Sequence, residues 1–545
     1  MTSGTTRTTG AARAVAAGPG HRWRWVTLVV LCVTLLLVSL DNTILNVALP
    51  SVVRELHATS TQLQWVVDAY AIVFAALLLP LGALGDRVGR KWVYLAGLVV
   101  FGGGSALAGW SGSPDRLTIA RAVMGVGAAA LMPCTLSILT NVFTSDRERA
   151  KAIGFWAGTA GIGVALGPIL GGFLLVHFWW GSVFLINVPI ATAGLVAALF
   201  LVPNSKNPQA SRPDVVGALL SLAGLGLLLW AIIEGPGRSW TSPLILGALA
   251  GAAVTIAGFI WWELRASHPM LPMRFFRNPR YSVAISALAM VMFALLGMFF
   301  LITQYLQFCL GFSPLRTGLA IGPVAIVLLV VAPLSELLVR RFGTKPLVAG
   351  GLLIVAVGFG LLSRTTAASS YTDFLPAFLL VGLGVGLALA PSTESIMGSL
   401  PREQAGVGSA TSDTSLQIGG ALGVAVLGTL LNIRYQNHLT PLLAGRHVPA
   451  GISKVILGSL GGALAVAQRE PGPAGDALAA AARHAFVSGM DLGLIVAAVV
   501  AAVAGLVVLA VLPSRPARRP AASSDHAPSS SASSKASSGM SVTSV

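Results

Sequence analysis

The sequence predicts an all-α integral membrane protein of fourteen spanning helices, and three observations carry that prediction. Only 10% of its 545 residues are charged and 55% are hydrophobic, with a mean hydropathy of +0.81, whereas soluble domains carry about a quarter charged residues. The apolar residues come in uninterrupted runs of about 20, the length a helix needs to cross the hydrocarbon core, not in the alternation of barrel strands. In lipid, each unpaired backbone group costs several kcal/mol, so runs of this kind can be buried only as helices.

Taken in order, the first run, 26–49, follows Arg22 and Arg24; it is too long for a signal peptide and carries Asp41, Asn42 and Asn46, so it reads as a retained first spanner. The second and third, 62–84 and 92–110, are joined by the charged loop Asp86 to Lys91, and the fourth, 116–139, contains Arg121. The fifth, 150–176, holds a Gly-Pro string, and the sixth is 182–202. The seventh and eighth, 214–233 and 243–264, form a pair, the latter closing on Trp261, Trp262 and Glu263. The ninth, 282–310, precedes 316–339 and 346–363, which a second basic loop joins; 374–397 and 404–432 are the twelfth and thirteenth. The segment 433–485 is the longest outside loop, and its Gly-rich stretch 448–467 suits one short surface or interfacial helix better than a further spanner. The last spanner is 486–512.

The basic excess, 35 Lys and Arg against 19 Asp and Glu, would suggest nucleic acid in a soluble chain, but here its placement orients a membrane protein. Twenty-four of the 35 fall on the side bearing the termini, 10 on the other, and Arg121 lies within a spanner. By the positive-inside rule both termini are cytoplasmic, and the Ala/Gly/Arg-rich composition suits a multi-pass protein of a bacterial plasma membrane. Residues 1–25 and 513–545 are tails too poor in apolar residues to fold and are expected to be disordered. Cys32, Cys134 and Cys309 lie far apart inside apolar runs and read as small core side chains. No G-x-x-x-x-G-K-S/T loop occurs and eight scattered histidines form no metal motif. Neither ATP hydrolysis, enzyme chemistry nor a cofactor is implied, and the expected energy source is an ion gradient.

An internal repeat is visible. Asp86-Arg87-Val88-Gly89-Arg90-Lys91 overlays Arg340-Arg341-Phe342-Gly343-Thr344-Lys345, and Gly125-Val126-Gly127 overlays Gly384-Val385-Gly386 at nearly the same offset. The reading is an N-terminal six-helix bundle over 26–202, two inserted helices over 203–281, and a C-terminal six-helix bundle over 282–512 that includes the outside loop 433–485. Paired helical halves around a midplane site are a transporter layout.

In the loop Gly82-Ala83-Leu84-Gly85-Asp86-Arg87-Val88-Gly89-Arg90-Lys91, Gly82 permits close helix approach and Gly89 a tight turn. The first spanner ends Leu40-Asp41-Asn42-Thr43-Ile44-Leu45-Asn46-Val47-Ala48-Leu49-Pro50. Further strings are Gly163-Val164-Ala165-Leu166-Gly167-Pro168-Ile169-Leu170-Gly171-Gly172, Phe184-Leu185-Ile186-Asn187-Val188-Pro189, and Tyr305-Leu306-Gln307 with Gly311-Phe312-Ser313-Pro314. Together these resemble the major facilitator superfamily, and within it the EmrB/QacA-type drug:proton antiporters with fourteen spanners, over about residues 26–512. The match departs at Gly181-Ser182, where the family usually has Arg-Trp.

The resemblance implies the major facilitator fold and drug export in exchange for protons. It implies that Asp86, with Arg87 and Arg90 beside it, latches the cytoplasmic side by facing the start of the thirteenth spanner after Pro401, where a helix amino terminus favours an acid. Arg340 stands in the second copy, so the latch would be one-sided. Gly163, Gly167 and Gly171, spaced by four, line one helix face, and Pro168 removes a backbone hydrogen bond; close packing is one reading, the family's antiporter gate the other.

Asp41 lies about 12 Å below the outer end of its helix, where an ionised carboxylate costs several kcal/mol unless paired or wetted. Arg121 reaches a comparable depth. Either the two form a structural ion pair, or Asp41 is a proton site tuned by a cation, the role the family associates with an arginine here. Asp413, with Gln417 one turn above, matches an acid that QacA-like members use for cationic drugs; holding a Gly-rich helix in register is the alternative. With Asn46 these two form the candidate substrate-binding set. Asp68, Glu336 and Glu394 read as nearer a membrane surface, within reach of water, and Glu263 as an interfacial anchor. The expected partners are a small-molecule drug, protons and the bilayer, with the chain acting as a monomer; export of one endogenous metabolite is the alternative function.

Overall fold

The computed structural model describes residues 23–206, 213–400, 405–444, 448–470 and 472–512. The two tails expected to be disordered lie outside these residues, except 23–25 where the first helix begins. Among the described residues the chain is all helical, and the fourteen spanners are present as helices long and apolar enough to cross a membrane. They are α1 (Arg24–Leu56), α2 (Ser60–Val88), α3 (Arg90–Gly109), α4 (Pro114–Val142), α5 (Asp146–His177) and α6 (Ser182–Leu201), then α7 (Val215–Arg238), α8 (Pro243–Arg265), α9 (Pro279–Gln304, prolonged by a wide turn at Tyr305–Cys309), α10 (Pro314–Phe342), α11 (Thr344–Leu362), α12 (Tyr371–Gly398) and α13 (Ala405–Ala444). Two short helices, α14 (Ala450–Gly458) and α15 (Leu460–Arg469), precede the last spanner, α16 (Pro473–Val511).

Local chemistry starts these helices where they start. Ser113-Pro114, Ser242-Pro243, Asn278-Pro279 and Ser313-Pro314 open α4, α8, α9 and α10. The polar side chain accepts an N–H that the first turn leaves unpaired, and proline occupies a position whose N–H has no partner to lose. Thr59 and Gln62 cap α2 reciprocally. The repeat-matched Gly89 and Gly343 make the turns before α3 and α11 with φ of 135° and 85°, a region closed to most side chains.

The first six spanners pack on one another through α1–α5, α2–α4 and α3–α4. A second bundle is built from α9 to α13 and α16, through α9–α13, α11–α12 and α11–α16, and α7 and α8 pair as a hairpin outside both. The bundles meet along two seams, α2 with α13 and α5 with α10. Fourteen crossings return the chain to the side it started from, so Arg24 and Val511 mark one face, the terminal face.

Contacts between the halves concentrate at the opposite, far face. Buried Gln64 of α2 donates to the carbonyls of Val424 (3.2 Å) and Ala425 (2.9 Å) on α13. Gln307, beyond α9, donates to the Val47 carbonyl of α1 at 2.9 Å. A Cβ on Gly172 of α5 would stand 2.6 Å from the Leu315 Cα of α10.

The segment 433–485 corrects one expectation. It is not a loop with one interfacial helix: α13 runs on to Ala444, α16 begins at Pro473, and two short helices lie between, broken at Ser459. The Ser459 hydroxyl accepts the Gly462 N–H at 3.1 Å and so caps the second. Both pack one side on the bundle ends: Gly461 lies against Val53 and Phe308, Ile456 and Ala463 are buried, and Arg54 lies 5.1 Å from the centre of the Phe308 ring, while Ile452 and Val455 of the first stay exposed at the surface. Glycine lowers intrinsic helicity by about 1 kcal/mol each, but packing on the bundle ends outweighs it.

Candidate functional site

Asp41 and Arg121 meet in the core of the first bundle. Arg121 Nη1 donates to Asp41 Oδ2 at 2.5 Å and both residues are essentially inaccessible to solvent. The remaining groups are also engaged: Arg121 Nε donates to the Val66 carbonyl at 3.2 Å, and its guanidinium lies 4.2 Å from the centre of the Tyr70 ring and 5.9 Å from that of Phe184. Asn187 Nδ2 donates to Asp41 Oδ1 at 3.2 Å and to Ser105 Oγ at 3.3 Å. The α6 helix is interrupted at Ile186 between Leu185 and Asn187, which sets the amide at its start. Five helices thus serve one carboxylate, which can hold a charge in lipid only with such partners.

The glycine string of α5 lies against the helix that carries Asp41. A Cβ on Gly163 would stand 2.6 Å from Ser39 Cβ and one on Gly171 2.7 Å from Ile44 Cγ1, while Gly167 faces Thr43. On the other side of α5, a Cβ on Gly318 of α10 would stand 2.6 Å from the carbonyl carbon of Pro168. The string therefore joins the Asp41 helix to the opposite half with backbone contacts on both sides. The departure at Gly181 has a physical reason too: a Cβ there would stand 2.6 Å from Trp179 Nε1 and clash with the Gly109 carbonyl, leaving no room for an arginine.

In the loop between α2 and α3, Asp86 accepts from Arg90 Nε at 2.7 Å, and Arg90 Nη1 also reaches the Ser137 carbonyl at 3.3 Å. Arg87 is exposed. A Cβ on Gly82 would stand 3.1 Å from Pro133 Cβ, so the glycine lets α2 approach α4. The Arg90 N–H donates to the Ser205 carbonyl at 2.9 Å, tying the loop to the chain after α6. The partner expected for Asp86, immediately after Pro401, lies outside the described residues.

Among the described residues, none of the candidate substrate residues bonds to Asp41. Asn46 is buried on α1, with Nδ2 on the Asn42 carbonyl at 3.3 Å and Oδ1 without a hydrogen-bond partner among the described residues. Asp413 and Gln417 are half-buried on α13, and Asp413 has no ion-pair partner among the described residues. Asp41 is enclosed in the other bundle, and among the described residues its bonds go to Arg121 and Asn187.

Two expectations are corrected. Asp68 is not near water: it is fully buried, and neither oxygen has a partner among the described residues. It lies one helical turn from Gln64, on the stretch of α2 where Ala71 and Ile72 pack against α7 and α13. Glu263 is likewise no interfacial anchor; it is 3% exposed, and its Oε2 accepts the Leu271 N–H at 3.1 Å, fixing the chain after α8. Asp68→Leu, which replaces an unpaired buried polar group by an apolar one with the same number of side-chain heavy atoms, is expected to stabilise the protein by about 1 to 3 kcal/mol, read as a raised thermal midpoint in detergent; a lowered midpoint would mean that the carboxyl has a partner.

Several residues carry the arrangement without having been singled out by sequence: Gln64, Ser105 and Tyr70 had no distinguishing motif. Asn187 and Gln307 stood inside quoted strings, and an amide within an apolar run was the available signal.

A family profile described as Major Facilitator Superfamily matches residues 31–424. The chain is 37% identical over 480 residues to the multidrug efflux pump LfrA of Mycolicibacterium smegmatis, covering 87% of this chain and 94% of that protein. It is 34% identical over 482 residues to the tetracenomycin C resistance and export protein of Streptomyces glaucescens (87% and 89% covered). With the methyl viologen resistance protein SmvA of Salmonella typhimurium it shares 32% identity over 474 residues (85% and 93% covered). In fold it resembles a bacterial homologue of the human lysosomal transporter Spinster, solved inward-facing and unoccupied, with a TM-score of 0.62, 18% identity and coverage of 90% and 98%.

Proposed function

The chain belongs to the major facilitator superfamily, and from that premise we propose that it exports hydrophobic or amphipathic drugs across the plasma membrane in exchange for protons. Its function is transport rather than catalysis. The observation that carries the reading is the buried Asp41–Arg121–Asn187 cluster, in a chain that aligns over 87% of its length with a multidrug efflux pump. The first-spanner string and the fifth-spanner glycines support assignment to the EmrB/QacA-type branch.

The distribution of Lys and Arg supports a cytoplasmic terminal face, and the closed far face with its Gln64 and Gln307 bonds supports a state open to the cytoplasm. In the cycle, drug binds from the cytoplasm or inner leaflet with Asp41 ionised and held by Arg121, the halves part at the far face, and drug leaves as a proton arrives at Asp41. The exchange is coupled only because each ligand binds the two states unequally. Asp86 acts as the cytoplasmic latch when the terminal face closes. Purified protein in vesicles with an imposed pH gradient tests the reading: uptake of a lipophilic cation into inside-out vesicles should follow the gradient and collapse with a protonophore. Gradient-independent uptake would overturn proton coupling.

Asp413 sets the charge preference. A cation gains from pairing with this unpartnered acid, whereas an anion meets uncompensated negative charge. Asp413→Asn is expected to weaken cationic drugs by about 1.5 to 3 kcal/mol at most and to leave neutral ones nearly unaffected, read by titrating matched cationic and neutral ligands. Equal losses for both would make the residue structural.

The second reading is a dedicated exporter of one endogenous metabolite. It is favoured by the similarity to the tetracenomycin C resistance and export protein and, at 36% identity over 430 residues, to a probable actinorhodin transporter of Streptomyces coelicolor. A panel of unrelated drugs in energised vesicles separates the two: a single transported compound supports the dedicated exporter.

A further inference from the structure

We infer that apolar substrate reaches the central space from the membrane on one side only, between the terminal halves of α5 and α10, because the α7–α8 hairpin seals the other seam. The inference rests on the export reading above and assigns the inserted hairpin a role in it.

The two seams are covered differently. At α2–α13, Ala71 and Ile72 of α2 and Ala421 and Ala425 of α13 bury against Leu229 and Ile233 of α7. Thr429 of α13 donates to the Ile232 carbonyl of α7 at 3.0 Å. Packing continues toward the terminal face as far as Leu222, so α7 covers about 16 Å of this seam. The second inserted helix, α8, packs chiefly on α7 and turns the apolar side chains of Leu246, Val254 and Trp261 outward.

Among the described residues, no helix from outside the two bundles lies over α5–α10 as α7 lies over α2–α13; α1, which touches both, belongs to the first bundle. Besides each other, α5 packs on α1, α4 and α6, all of its own half, and α10 packs chiefly on α12. Moreover these two helices diverge toward the terminal face. Gly154, Gly161 and Gly172 fall within about 20° of one another around α5, so they report on one face. A Cβ on Gly172 would stand 2.6 Å from Leu315 Cα, one on Gly161 would stand 3.4 Å from Leu329 Cδ1, and one on Gly154 would meet nothing within 4 Å. Gly158 is equally unobstructed.

The exposed side chains at this level are mostly apolar, Phe155 at 64% on α5 and Leu334 and Leu337 on α10, with one acid, the exposed Glu336, one helical repeat beyond Leu329. A mostly apolar gap at the depth of the inner leaflet admits molecules already partitioned into the acyl chains at little desolvation cost, and the Glu336 carboxylate at its terminal end suits a lipophilic cation. A strongly hydrated ion would have to shed its water there and would use the aqueous opening of the terminal face instead.

The test compares two cations in proteoliposomes: rhodamine 6G, which partitions into membranes, and methyl viologen, a dication confined to water. Gly158→Trp fills the gap and is expected to slow rhodamine 6G export about tenfold while changing methyl viologen about twofold or less. Leu329→Ala, which only removes atoms from a half-exposed position and is safe for folding, is expected to speed rhodamine 6G at subsaturating concentration about twofold or more, with methyl viologen as internal reference. Gly226→Trp on α7, where a Cβ meets nothing within 4 Å, controls for bulk.

Equal slowing of both cations by Gly158→Trp, or no response of rhodamine 6G to either portal variant, overturns the one-sided portal. So does a wild type that exports methyl viologen alone. A wild type that exports neither cation under a pH gradient defeats the export reading itself, which distinguishes the two failures.

Discussion

Arg121→Ala is expected to be the most damaging single substitution in the chain, lowering stability by about 3 to 5 kcal/mol and abolishing transport. It leaves the fully buried Asp41 carboxylate with only the Asn187 amide at 3.2 Å, and an uncompensated charge in a low-dielectric interior carries a penalty of that size. It also removes the guanidinium from the Tyr70 face and from the Val66 carbonyl. Asp41→Asn separates the structural from the chemical part of this prediction. The amide preserves the shape, so folding and drug binding should persist, but it cannot exchange a proton. Thermal unfolding reads the first part and proton release on drug addition the second. Release unchanged in Asp41→Asn would assign coupling to another group and reduce the pair to a structural one.

The second large effect is expected at the α5–α10 contact. Gly318→Val places a branched side chain against the backbone of Pro168, where even its Cβ would stand 2.6 Å from a carbonyl carbon. Overpacking of this kind costs about 1 to 3 kcal/mol. The clash exists only while the far face is closed, so the cost falls on that state and shifts the balance between states by about 5- to 150-fold. Transport should fall steeply, and a cysteine in place of the fully buried Thr317 should become reactive to an impermeant maleimide from the far face. Gly154→Ala, on α5 at a point where nothing lies within 4 Å, should behave as wild type. A closed far face in Gly318→Val would mean that the helices adjust without separating.

Much of this protein was legible in one dimension because the lipid constraint is local. Every run that enters the hydrocarbon must satisfy its own backbone, so hydropathy alone located fourteen spanners among the described residues. The repeat-matched Gly89 and Gly343 were readable for the same kind of reason, since a backbone with positive φ needs a glycine wherever it occurs. Depth was legible only in part. Counting residues from a helix end brought Asp41 and Arg121 to one level, but applied to Asp68 it suggested a solvent-accessible carboxyl where the side chain is fully buried.

The difference lies in rotation and neighbours. Which way a side chain points around its helix, and which helix stands opposite, depends on packing between segments more than a hundred residues apart. Gln64 meets Ala425, Gln307 meets Val47, and Asn187 meets Asp41 across such separations. The same holds for α7: its apolar sequence guaranteed that it would be buried in lipid or protein, and only the assembled bundles decided that it would lie over the α2–α13 seam and leave α5–α10 uncovered. Hydrophobic transfer is non-directional, so it fixed the membrane location of each helix; close packing and hydrogen bonding are directional, so partners and seams had to await the tertiary structure.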